Sequence, residues 1–130
     1  MSDLVLVGPF WTRSEAASYL GISGDELLAR NDVVRIQGRW LEETYPALQF
    51  HDHEVRSEVA TIVESIGDEL PGTAIADWLS RANALLGFMS PIDWFSAGLS
   101  LKTALQAIHA DTDEARQRVQ SSSEVGTAAG

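Results

Sequence analysis

Four arginines in the first third of the chain, Arg13, Arg30, Arg35 and Arg39, are the side chains best suited to a phosphate backbone. A guanidinium presents its N–H groups in a planar fork that matches phosphate oxygens, and it stays charged at any ordinary pH. Arg30, Arg35 and Arg39 cluster with only Asp32 among them. Other reactive types do not assemble into a catalytic set. His51-Asp52-His53 places alternate imidazoles around a carboxylate, as one metal ion would need from an extended segment. No third His or Cys stands nearby, His109 is far along the chain, and a polar loop ending in a helix N-cap accounts for Asp52. No metal is expected there. No serine sits in a Gly-x-Ser-x-Gly elbow, no glycine-rich phosphate loop occurs, and no carboxylate pair has a defined spacing. Neither an enzyme nor a cofactor is expected.

A second set of residues suits contact with another protein. Trp78, Phe88, Trp94 and Phe95 fall within a short, glycine-punctuated stretch, with Leu85, Leu86 and Met89 between them. Trp78 and Phe95 read best as core, yet tryptophan is large enough to be half-buried and still anchor an interface. Residues 82–89 would leave an apolar patch bare unless another surface covered it. Phe88, Trp94 and Phe95 are therefore the candidate partner contacts, with Arg116 and Arg118 near the end of the last helix.

These residues need elements to position them. Thr12-Arg13-Ser14-Glu15 is a capping box, and Ser23-Gly24-Asp25-Glu26 repeats it eleven residues later. The first predicted helix carries Ala16, Ala17 and Leu20 and stops at Gly21; the second carries Leu27 and Leu28 to about Arg30 or Asn31. Two short helices around Gly21-Ile22-Ser23 predict a helix-turn-helix. Val33, Val34 and Ile36 then predict a strand, Gln37-Gly38 a turn, and Arg39-Trp40-Leu41 the start of a return strand, together a wing. Residues 45–50 should be extended, because a residue before proline is biased away from helix.

From about His53 to Leu70, the spacing of Val55, Val59, Ile62, Val63, Ile66 and Leu70 predicts an amphipathic helix. Pro71-Gly72 breaks it, and a helix follows from about Thr73 to Ser80 or Arg81. Ser90 caps the next helix, with Pro91 at its first position, Asp93 in its first turn and Gly98 at its close. Ser100 opens another, buried along Leu101, Ala104, Leu105 and Ile108. The expected organisation is a winged helix-turn-helix over residues 1–50, a helical dimerisation and partner-binding region over 51–118, and a disordered tail over 119–130, all in a mostly α fold.

Composition narrows the partners. The chain of 130 residues has a net charge of −10 and no cysteine, so disulfides and thiolate zinc sites are excluded. Residues 1–50 hold four arginines against seven acids, and residues 51–130 hold five basic against twelve acidic residues. Most of the acid thus lies away from the arginine cluster, which is the one locally basic surface. No apolar run approaches the roughly 20 residues that span a bilayer, and the first residues lack a signal-peptide pattern. A cytoplasmic protein without a membrane partner is expected.

Trp78-Leu79, Asn83, Leu85-Leu86-Gly87, Ser90-Pro91-Ile92-Asp93-Trp94 and Gly98 together resemble the toxin-binding domain of Xre/MbcA/ParS-type antitoxins. Tyr45-Pro46-Ala47-Leu48-Gln49-Phe50 resembles a segment that follows the helix-turn-helix in a related group. The resemblance covers roughly residues 10 to 110. It implies a helical antitoxin that dimerises, binds DNA at its own operator, and neutralises a RES-type, NAD-degrading toxin by covering its active-site entrance. The acidic start of the second helix and the Ser/Gly/Ala-rich end depart from that pattern. The expectation is the antitoxin of a type II toxin–antitoxin pair. A stand-alone DNA-binding regulator whose carboxyl-terminal helices only dimerise is the alternative, and a scaffold with no nucleic-acid role is a third.

Overall fold

The computed structural model describes residues 8–37 and 42–113; the expectations for Arg39, Arg116, Arg118 and the tail lie outside them. The described chain is mostly helical, with two small two-stranded antiparallel sheets.

Strand β1 (Phe10–Thr12) runs directly into helix α1 (Arg13–Leu20), which is followed by α2 (Gly24–Ala29). Both capping boxes form. The Thr12 hydroxyl accepts from the Glu15 amide at 3.1 Å while the Glu15 carboxylate accepts from the Thr12 amide at 2.9 Å. Ser23 and Glu26 do the same at 3.0 and 3.2 Å. Each cap satisfies amides that the first helical turn leaves open, worth about 1 kcal/mol. Gly21 ends α1 in the left-handed region at φ 71°.

The return path differs from the expected wing: Val33 and Val34 lie in no strand, and the expected return start at Arg39-Trp40-Leu41 lies outside the described residues. Ile36 forms a bridge to Thr44, which opens strand β2 (Thr44–Pro46). That strand pairs on its other side with β1, in the register Phe10↔Pro46, Trp11↔Tyr45 and Thr12↔Thr44. A short 3₁₀ turn (Ala47–Gln49) then interrupts the segment expected to stay extended.

The amphipathic helix begins later than its periodicity suggested. Strands β3 (Phe50–His51) and β4 (Glu54–Val55) form a two-residue hairpin, and helix α3 covers only Ser57–Ile66. Asp52 and His53 occupy its turn at φ 53° and 62°, the paired positive values such tight hairpins require. Asp52 is therefore a turn residue, not a helix N-cap, and α3 is preceded by Arg56 without a side-chain cap. Helix α4 (Gly72–Ser80), a 3₁₀ turn (Ala84–Leu86), helix α5 (Pro91–Ser96) and helix α6, described over residues 101–113, complete the chain.

Two apolar clusters hold these elements. Ala16, Ala17, Leu27, Val33, Tyr45, Phe50 and Val55 form one. Val34, four residues of α3 (Val59, Ile62, Val63 and Ile66), Ile75 and Leu79 of α4, Phe95, Ala104 and Ile108 belong to the other. Adjacent residues Val33 and Val34 thus point into different clusters, as alternating side chains of an extended segment do. No helix among the described residues is long and apolar enough to cross a membrane.

Candidate partner-binding surface

The last turn of α4 leads into a tightly bonded loop. The Asn83 amide donates to the Met89 carbonyl at 3.0 Å, and the Asn83 carbonyl accepts from Leu86 at 3.0 Å and Phe88 at 2.8 Å. The Asn83 side-chain oxygen also accepts from the Leu85 amide at 2.8 Å, which caps the 3₁₀ turn. Leu86 is fully buried and anchors this loop to the body of the protein. Its neighbours point the other way: Leu85 is 56% exposed and Phe88 75% exposed.

The loop is also fixed from below. A single oxygen of Asp111, on α6, accepts from the Trp78 indole at 2.9 Å and from the Asn83 side-chain amide at 3.1 Å. Trp78, Arg81, Ala82, Leu85, Ala110 and Asp111 are among the residues lining a groove of about 540 Å³ beside the exposed leucine. On the far side, the Ser90 hydroxyl caps α5 through the Asp93 amide at 3.2 Å, with Pro91 in the first turn. The Trp94 indole donates to the Ser100 carbonyl at 2.8 Å and ties α5 to the start of α6.

The three aromatic candidates for partner contact therefore have different environments. Phe88 is displayed on the surface, Trp94 is half-buried, and Phe95, only 3% exposed, fills the second core cluster. In this conformation a partner can reach the first but not the last. What the surface offers is an apolar projection on a hydrogen-bonded loop, with Leu85 also lining the groove.

Arg13, Arg30 and Arg35, the described arginines among the phosphate candidates, are engaged internally. Arg13 forms a fork on Glu43, with both bonds at 2.8 Å, and also approaches Glu42 at 3.3 Å. Arg30 forms a similar fork on Asp32 at 2.8 and 2.7 Å. Arg35 donates to the carbonyls of Leu27 at 2.9 Å and Arg30 at 3.2 Å, capping the end of α2, and to the Tyr45 hydroxyl at 3.2 Å. The buried Tyr45 hydroxyl donates in turn to Glu43 at 2.7 Å.

These bonds set the charges. The Arg13 hydrogen bonds, helped by the Tyr45 hydroxyl, hold the Glu43 carboxyl down to about 2 although burial opposes them. Glu43 raises Arg13 correspondingly. The Arg30 fork lowers Asp32, and burial raises Tyr45. These side chains form a neutralised network, while the first turn of α2 displays Asp25 and Glu26 to solvent.

His53 stacks on Tyr19 with ring centroids 4.8 Å apart, and its Nδ1 lies 3.2 Å from the Tyr19 carbonyl. No group of three or more His, Asp or Glu among the described residues could hold a metal ion. Glu43 and Asp111 hold the two surfaces described above, and the buried Gln49 bonds to Val34 in the interior, yet none of the three stands out in the sequence. Their partners lie 30, 15 and 33 positions away, beyond any local pattern.

No protein-family model, curated protein or solved structure matches the chain.

Proposed function

We propose that this chain is the antitoxin of a type II toxin–antitoxin pair and that its 83–89 loop docks on a RES-type, NAD-degrading toxin, covering the entrance to the active site. The observation that carries this reading is Phe88, a large apolar side chain 75% exposed on a loop that internal hydrogen bonds hold in one shape. Docking a preformed aromatic anchor loses little conformational freedom, which is how a small patch can dominate an interface. The net charge of −10 favours a partner with a basic rim, which would speed encounter and make it salt-sensitive. The toxin class comes from the resemblance of the Trp78 to Gly98 segment to antitoxin toxin-binding domains. Cytoplasmic location and dimerisation belong to the same reading.

The test is co-expression with the product of the neighbouring gene. That product should be toxic alone, tolerated beside the wild-type chain, and toxic again beside Phe88→Ser. A harmless neighbour, or toxicity that persists with the wild-type chain, rules the reading out.

A second reading adds operator binding, by itself or as autoregulation. It draws on the paired capped helices α1 and α2 and the Ile36–Thr44 bridge, which would make a winged helix-turn-helix. The internal bonding of Arg13, Arg30 and Arg35 and the acidic start of α2 weigh against it. Specific binding to the upstream DNA that falls steeply with salt would support it; no binding at low salt would remove it.

A further inference from the structure

We infer that Asp111 is the positioning residue of the 83–89 loop: one carboxylate oxygen on α6 fixes the loop in its presenting shape before any partner arrives. Its importance for binding rests on the docking role proposed above; its effect on the free chain does not. Three separate segments meet at Asp111 Oδ2. The Trp78 indole reaches it from α4 at 2.9 Å, and the Asn83 side chain reaches it from the base of the loop at 3.1 Å. Asn83 is the hub of that loop, since its backbone carbonyl accepts from Leu86 and Phe88 and its side-chain oxygen from Leu85. With its amide nitrogen held by Asp111 and its oxygen held by Leu85, the Asn83 side chain has one orientation. Hydrogen bonds to a carboxylate are stronger than neutral ones, so this oxygen adds a strong polar tie between the loop and the helical body to the apolar one made by Leu86.

The inference separates presentation from contact. Phe88 would touch the partner, whereas Asp111 acts through Trp78 and Asn83. Removing the carboxylate should therefore loosen the loop while leaving the apolar side chains intact.

Amide hydrogen exchange on the free full-length chain tests this. Asp111→Ala should speed exchange of the Leu86 and Phe88 amides by about tenfold or more, the scale of losing one such hydrogen bond. The Ile22 and Ile36 amides, bonded to Ala17 and Thr44, serve as references and should not change. Asp111→Asn should stay within about threefold of wild type, because an amide oxygen can still receive both donors. Should Asp111→Ala unfold the chain, Trp78→Phe removes one donor while keeping an aromatic ring, and the same selective acceleration is expected. Unchanged loop amides, or reference amides that accelerate equally in both variants, would overturn the inference. Binding of the purified neighbouring-gene product supplies a separate readout, in which Asp111→Ala should weaken affinity with Phe88 still present. If the wild-type chain binds nothing, the antitoxin reading fails, and the exchange result still judges Asp111.

Discussion

Phe88 combines a backbone φ of 67° with a ring that is 75% exposed, and either feature alone would be unfavourable in a free protein. The left-handed region costs a non-glycine residue on the order of 1 kcal/mol, and an exposed aromatic recovers none of it by burial. Phe88→Gly is therefore expected to raise the stability of the free chain by about 1 kcal/mol, measured by chemical denaturation, while abolishing the toxin binding proposed above. A variant that is less stable than wild type would show that the ring packs in the free chain after all. Glu43 gives the opposite kind of case, a residue whose charge serves the fold. Its carboxyl is held at about 2 against an ordinary 4.5, so its contribution is fully present above 4.5 and is lost as pH falls towards 2. The stability gap between wild type and Glu43→Gln, read from thermal melts, should be widest near neutrality and narrow through that interval. A gap that stays constant with pH would mean that the Arg13 pair contributes nothing to folding. Sequence reading located Phe88 because an apolar residue beside a glycine in a short loop is conspicuous. It passed over Glu43 because a carboxylate becomes structural only through Arg13 and Tyr45.

At the scale of elements, local signals were legible where they were complete in themselves. The two capping boxes, the Ser90-Pro91 helix start and the helical spacing from Val59 to Ile66 each describe one turn or one face, and each forms. The β3–β4 hairpin was hidden because Asp52-His53 is an unusual pair for a turn with two positive φ values; Tyr19, which stacks on His53, lies far away in sequence. Gln49 was hidden for a related reason. Its buried side chain accepts from the Val34 amide at 2.7 Å and donates to the Val34 carbonyl at 2.9 Å, taking the place of a neighbouring strand. The join between α4 and the segment around Arg35 shows the same dependence on distant residues. A Cβ placed on Gly72 would lie 1.9 Å from the Arg35 carbonyl oxygen, so the helix can approach that segment only without a side chain there. Gly72→Ala should lower stability by at least about 2 kcal/mol, as overpacking against a rigid backbone does, despite the better helix propensity of alanine. Denaturant unfolding measures it, and a neutral or stabilising result would mean that α4 can shift freely away from Arg35.

For the molecule as a whole, the sequence suggested two regions with different tasks, and the packing shows how they are joined. Val33 enters the first cluster and Val34 the second, Gln49 bonds across to Val34, and Gly72 lies against the Arg35 backbone. Every one of these links passes through residues 33–35, so neither cluster can lose its packing without disturbing the strip that borders the other. The expected consequence is a single cooperative unfolding transition, with calorimetric and van't Hoff enthalpies in agreement. Leu27→Ala in the first cluster and Ile62→Ala in the second remove fully buried side chains, each at a cost of about 3 kcal/mol. Each should move the entire endotherm downward without splitting it. Two separate endotherms, one shifted by each substitution, would instead make the halves independent. A single shifted endotherm would show that the strip shared by both clusters, which also carries the α2-capping Arg35, makes them one folding unit.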